Sequence, residues 1–211
     1  MPKRTFNRLD EEKKERVIRA AIEEFQAHGF EKAKIEIIAQ NAEVAKGSIY
    51  QYFDDKKELF LYSVTWALNY FMMVIDRQTP LKEMDVYDYF LSGNRERFEL
   101  LKKEPLLVAF STDIASGKYG NLTKEANDEL NRIGEEYELK LIANGKKRGT
   151  IRNDLDDSIL LLFFQGVTEK FTAVIMAKAK EFEGELTEEQ LNEVESLLKS
   201  MVTLLKQGME R

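Results

Sequence analysis

The 211-residue chain is 43% hydrophobic and 33% charged, which excludes a disordered polymer and leaves room for one large domain or a small domain joined to a larger one. It contains no cysteine, so a disulfide framework and a thiolate metal site are excluded, and a reducing cytoplasm is the expected location. The net charge of −6 is opposite in sign to that of most nucleic-acid binders, but residues 1–60 hold 12 Lys+Arg against 12 Asp+Glu, so the acidic excess lies wholly beyond Phe60.

The opening residues, "MPKRTFNRLDEEKKERV", run from basic to acidic without the apolar core of a signal peptide. Lys3, Arg4 and Arg8 there suit either a minor-groove arm or a disordered, solvated tail. Prolines stand only at positions 2, 80 and 105, and apolar residues recur at helical spacing almost throughout, which predicts an all-α chain of about nine helices. Val17, Ile18, Ala21, Ile22 and Phe25 form the first stripe, closed at His28-Gly29 by a residue suited to a left-handed cap. Ile35, Ile38, Ala39 and Ala42 form a short second stripe. After a break at Glu43–Ala45, Ile49 and Phe53 bury a third helix of about two turns.

"DDKKELF" opens a fourth helix, expected from about Lys56 to Arg77 and stopped by Thr79-Pro80. Further helices are predicted over 84–103, from Pro105 to Ser116, and from Leu122 to Lys147. Asp156 then starts a long apolar helix reaching about Lys180. Thr187 and Gln190 make a capping box before the last helix. That helix carries Leu191, Val194, Leu198, Met201 and Leu205, widened by Leu197 and Leu204. Its apolar side, and "ILLLFFQGV" before it, can be covered within the chain or by the same two helices of a second subunit. The homodimer is the expected arrangement. The apolar run is too short to cross a bilayer, so no membrane partner is expected.

The second and third stripes make a helix-turn-helix unit. Lys46, Gly47, Ser48, Tyr50 and Gln51 point away from the Ile49/Phe53 stripe, at the start of the second helix of that unit. Gln and Lys there can hydrogen-bond base edges, Gly47 permits close approach, and first-turn N–H groups favour phosphate. On pattern alone, Tyr50, Tyr52 and Phe53 read equally well as core and rim aromatics.

At these residues the segment "RVIRAAIEEFQAHGFEKAKIEIIAQNAEVAKGSIYQYFDDKKELF", Arg16 to Phe60, resembles the DNA-binding domain of the tetracycline-repressor (TetR) family of bacterial transcription regulators. The resemblance rests on Ala20-Ala21, Phe25, Gly29-Phe30, Ile38-Ala39, Ala42, Val44, Lys46-Gly47, Ile49-Tyr50, Tyr52-Phe53, Lys56 and Glu58-Leu59-Phe60. More weakly, "KKRGTIRNDLD" is similar to the link before the family's dimer helices. It implies a helix-turn-helix domain over 1–57 and a helical ligand-binding and dimerisation domain over 58–211. It further implies an operator on double-stranded DNA, a small-molecule effector, and DNA contacts from Lys34, Ala45, Lys46, Gly47, Ser48, Tyr50, Gln51, Tyr52 and Lys56. The chain departs from the family where Lys34 and Ile37 replace a capping Thr or Ser and its acidic partner. It departs again where Glu43 and Ala45 replace the Gly and Ser of the turn. Loss of such a cap costs about 1 kcal/mol.

Enzyme chemistry has little to build on. The one histidine, His28, suits a helix end, Asp154, Asp156 and Asp157 suit the start of a helix, and no phosphate loop or dinucleotide fingerprint occurs. Neither a cofactor nor a metal is expected. The resemblance implies a small-molecule site in the larger segment, for which Trp66, Tyr70, Phe110, Tyr137 and Phe164, with Asn94 as a polar anchor, are the expected lining. A helical sensor or adaptor of the same architecture that no longer binds DNA is the competing expectation.

Overall fold

The computed structural model describes residues 2–78, 81–91, 100, 102–181 and 187–209. Among them are ten α-helices and one 3-10 turn, with no strand. In chain order they are α1 (Arg4–Asn7), α2 (Glu11–Lys32), α3 (Ile35–Asn41), α4 (Lys46–Tyr52), α5 (Lys56–Gln78), the 3-10 turn Leu81–Glu83, α6 (Val86–Leu91), α7 (Pro105–Ala115), α8 (Asn121–Arg148), α9 (Asp157–Glu181) and α10 (Glu188–Met209). The all-α expectation holds, and the addition to it is α1. The helix expected over 84–103 is seen as α6, while residues 92–99 lie outside the described residues.

The chain divides into two compact units, Met1–Met73 with Leu100–Ile133 and Val74–Glu99 with Gly134–Arg211. In the first, α2 packs against α3 and α7, α3 against α4, and α1 against α4. Asp10 caps α2 by accepting the Lys13 N–H at 2.8 Å, with Glu11 and Glu12 at the positive end of the helix. Gly29 takes φ 70 as its sequence position foretold, and one further turn follows before Ala33 donates its N–H to the Gly29 carbonyl. The apolar stripes converge on fully buried Ile18, Ile22, Phe25, Ile38, Ile49, Phe53 and Phe60. Phe60 is edge-on to Phe25 at 5.2 Å and to Phe110 at 5.9 Å. Burying one such side chain contributes roughly 1.5–3 kcal/mol, so this core holds the short helices in place.

In the second unit, α6 and α9 pack against α10. Its polar centre is Asp85, only 1% exposed, which accepts N–H bonds from Tyr87 and Asp88 and the Thr150 hydroxyl at 2.7 Å. Asn144 donates to the Met84 carbonyl at 2.9 Å, fixing the same turn to α8. The predicted capping box is formed. The Thr187 N–H donates to the Gln190 side chain at 2.8 Å, and the Gln190 N–H to the Thr187 hydroxyl at 3.3 Å. Val194, Leu198, Met201, Leu205 and Met209 of α10 are buried, as are Leu160 and Phe164 of α9. By contrast Ile159, Leu162, Phe163 and Val174 of α9 and Leu204 of α10 remain exposed.

Candidate nucleic-acid interface

Helix α4 is short because little of it is needed to reach outward. Ile49 and Phe53 are buried beneath it, at 1% and 0% exposure, while Tyr50 is 47% exposed and Lys46, Gly47 and Gln51 are exposed as well. Ser48 is half-buried. Ala45, extended at φ −67 and ψ 142, precedes the first turn, and no side chain caps its N–H groups. The N-terminus of α4 therefore presents open donors and a positive dipole end among a lysine, a glycine and a tyrosine, a combination suited to a phosphate and a base edge.

Tyr52 is a correction. It is only 6% exposed and packs edge-on to Phe6 at 5.7 Å, because residue 52 lies three after buried Ile49, on the same face of the helix. The basic segment is not a disordered tail, although Arg4 and Arg8 remain exposed. α1 docks on α4, and Phe6 is fully buried against Phe53 at 4.9 Å and Tyr62 at 5.4 Å.

Around the tip, Lys46 forms an ion pair and hydrogen bond with Glu36 of α3, which holds the Glu36 carboxyl below its usual range and the Lys46 ammonium above its own. Lys34 is exposed at the start of α3. Lys56 donates to the Glu31 and Ala33 carbonyls, each at 3.1 Å, and lies over the Phe30 ring at 4.7 Å, so it closes the end of α2 as well as facing outward. Arg16 Nε donates to the Ala42 carbonyl at 3.0 Å and closes α3. Sequence reasoning missed Glu36, Arg16 and Phe6, whose roles arise from pairings between helices.

The residues expected to line a ligand site have other contacts. In the first unit, Trp66 and Tyr70 lie 5.3 Å apart under the Arg19 guanidinium. Arg19 is held by Glu104 through two bonds, at 2.8 and 3.0 Å, and the Tyr70 hydroxyl donates to Glu104 at 2.7 Å. Phe110 is fully buried against Phe60 and Tyr119. In the second unit, Tyr137 meets Tyr89 at 5.7 Å and Phe164 meets Phe90 at 5.7 Å. Asn94 lies outside the described residues. A cleft of about 920 Å³ in the first unit is bordered by Asp55, Glu58, Tyr62, Glu125, Asp128 and Arg132 among others, and by none of the five described candidates.

The sequence profile of the tetR family of bacterial regulatory proteins matches residues 17–62, the span from α2 through α4 into α5. Solved structures match along nearly the whole chain. A Mesorhizobium loti protein described as a TetR-family transcriptional regulator gives a TM-score of 0.67 at 20% identity, covering 99% of this chain and 100% of its own. The transcriptional regulator FadR from Bacillus subtilis, in complex with stearoyl-CoA, gives 0.62 at 19% identity, covering 92% of this chain and 98% of its own. A TetR family transcriptional regulator from Chloroflexus aurantiacus gives 0.54 at 24% identity, covering 100% of this chain and 99% of its own. No curated protein matches the sequence. Residues 17–62 thus match the DNA-binding domain of the tetR family, and the whole chain shares the fold of these regulators.

Against the TetR pattern, the two departures seen in the sequence take physical form. Lys34 provides no side-chain cap for α3. Instead Glu24, 4% exposed on α2, reaches across to accept the Lys34 N–H at 2.9 Å, the task that the family gives to an acidic residue inside the third helix's own first turn. In the turn, Glu43 stands at φ 55, the left-handed region that costs a side-chain-bearing residue roughly 1 kcal/mol and that glycine enters freely. The helix-turn-helix is thus held by one substituted support and one strained turn.

Proposed function

We propose that this DNA-binding regulator acts as a dimeric, ligand-responsive repressor, released from a near-palindromic operator by a small molecule. The observation that carries the reading is the uncapped, exposed tip of α4 over a fully buried Ile49/Phe53 base. Lys34, Ala45, Lys46, Gly47, Ser48, Gln51 and Tyr50 supply the contacts, with Lys56 beside the phosphates. Two copies of α4 lie about one DNA turn, roughly 34 to 36 Å, apart. The exposed apolar residues of α9 and α10, Leu162 at 69% and Leu204 at 63% above all, are the surface for the second copy. Functionally, residues 1–57 form the reader and 58–211 the effector and dimer segment.

FadR, solved with stearoyl-CoA, supports a small-molecule effector for this fold. The effector acts by binding one spacing of the two readers better than the other, shifting α5 and lowering DNA affinity by the difference.

Selection of bound fragments from random genomic DNA tests the reading. Tyr50→Ala and Gln51→Ala lose affinity for the selected site by about 1–3 kcal/mol each with the fold intact. Lys34→Ala reduces the salt slope by about one contact. Parent-like binding by all three variants refutes the assignment of α4. Failure of the parent to select any fragment favours the adaptor.

A further inference from the structure

We propose that residues 3–6 are a positioning clasp that holds the C-terminal end of α4 so that its N-terminal end can remain uncapped for DNA. This rests on the reading of α4 as the DNA-contacting helix.

A seven-residue helix is unstable alone, and the usual remedy, a side chain capping its first turn, is missing from α4. Filling that position would consume the donors meant for phosphate. Support comes at the other end instead, where a helix leaves its last carbonyls without partners. The Lys3 N–H donates to the Tyr52 carbonyl at 2.8 Å, and the Lys3 ammonium to the carbonyls of Tyr50 at 2.9 Å and Phe53 at 3.4 Å. The Thr5 hydroxyl donates to the Gln51 carbonyl. Four successive carbonyls, from Tyr50 to Phe53, are thereby accounted for by two residues. The ammonium also lies at the negative end of the helix and pairs with Asp54 at 2.8 Å. Buried Phe6 anchors the segment, its ring against Tyr52, Phe53 and Tyr62.

The clasp has a functional consequence. Tyr50 and Gln51, two of the proposed reading side chains, sit on the carbonyls that the clasp holds. Released, the last turn of α4 frays, and these side chains must be ordered again on each encounter with DNA.

The test uses the full-length protein and two variants, Phe6→Ala and the milder double change Lys3→Met with Thr5→Val. Amide hydrogen exchange at residues 50–53 is expected to rise about tenfold in both, with α3 unchanged, and affinity for the selected DNA to fall about tenfold at an unaltered salt slope. Lys3→Arg with Thr5→Ser, which keeps the donors, restores both. Parent-like exchange at 50–53 in both variants overturns the clasp. So does an affinity loss with a salt slope reduced by about one contact, which makes the segment a phosphate contact. If the parent binds no DNA, the reading of α4 fails, while the exchange comparison still decides the clasp.

Discussion

Replacing Glu24 by alanine removes the carboxylate that accepts the Lys34 N–H, at a helix start that has no side-chain cap of its own. Leaving a buried donor unsatisfied costs about 1–3 kcal/mol, an upper bound for this part-buried one. Two features reduce the net figure. The Glu24 side chain is 5% exposed and 3.8 Å from a His28 that is itself 57% exposed, so its burial is itself unfavourable, and deletion relieves that desolvation. We therefore expect a loss of about 1.5 kcal/mol, which at roughly 2–4 °C per kcal/mol for a chain of this length lowers Tm by about 3–6 °C. Glu24→Gln keeps an acceptor oxygen and should lose about a third as much. Thermal unfolding followed by circular dichroism, at one fixed protein concentration, measures both. Hydrogen exchange at the Lys34 amide locates the effect. A Glu24→Ala protein that melts with the parent and protects that amide equally would refute the substituted-support argument.

Glu36→Gln frees Lys46 and removes a carboxylate facing the expected DNA backbone, so affinity for a selected site should rise roughly two- to tenfold without a change in Tm, as read by fluorescence anisotropy. The Glu104 carboxyl is held below its usual range first by the hydrogen bonds of Arg19 and further by that of Tyr70. Its depressed folded pKa means that the associated stability is present above about 4.5, the unfolded value, and is lost as pH falls through the folded one. Glu104→Gln should flatten that acid limb in a pH series of denaturation curves; an unchanged limb would refute the link. Leu162→Glu places a charge on the proposed twofold surface and should convert the dimer to monomer in sedimentation analysis, with helical content retained.

The fold was legible where a local signal recurs. Helical spacing located the first stripe, the α3–α4 pair and the long helices, and the Thr187/Gln190 pair and Gly29 gave their boundaries by chemistry that operates within a few residues. α1 escaped because four residues carry no period, and a single Phe6 among charges looks like surface until the groove that receives it exists. Glu24 escaped for a related reason: on an amphipathic helix it resembles any solvated carboxylate, and its partner is a backbone N–H ten residues away. The resemblance places Tyr52 outward while the pattern alone leaves it open between core and rim, and only packing separates the aromatics that face solvent from those that fill the core. The same ambiguity governs the aromatic residues of the larger segment, where Phe110 is core and Tyr70 serves a polar cluster.

The left-handed backbone at Glu43 also has a genetic side. Glutamate and glycine codons differ by one purine transition at the middle base, so a relaxed turn without its negative charge is a single mutational step away. Populations screened for a firmer hold on DNA should reach it early, and sequencing the survivors would show it. A lineage that retains glutamate there would keep the weaker hold.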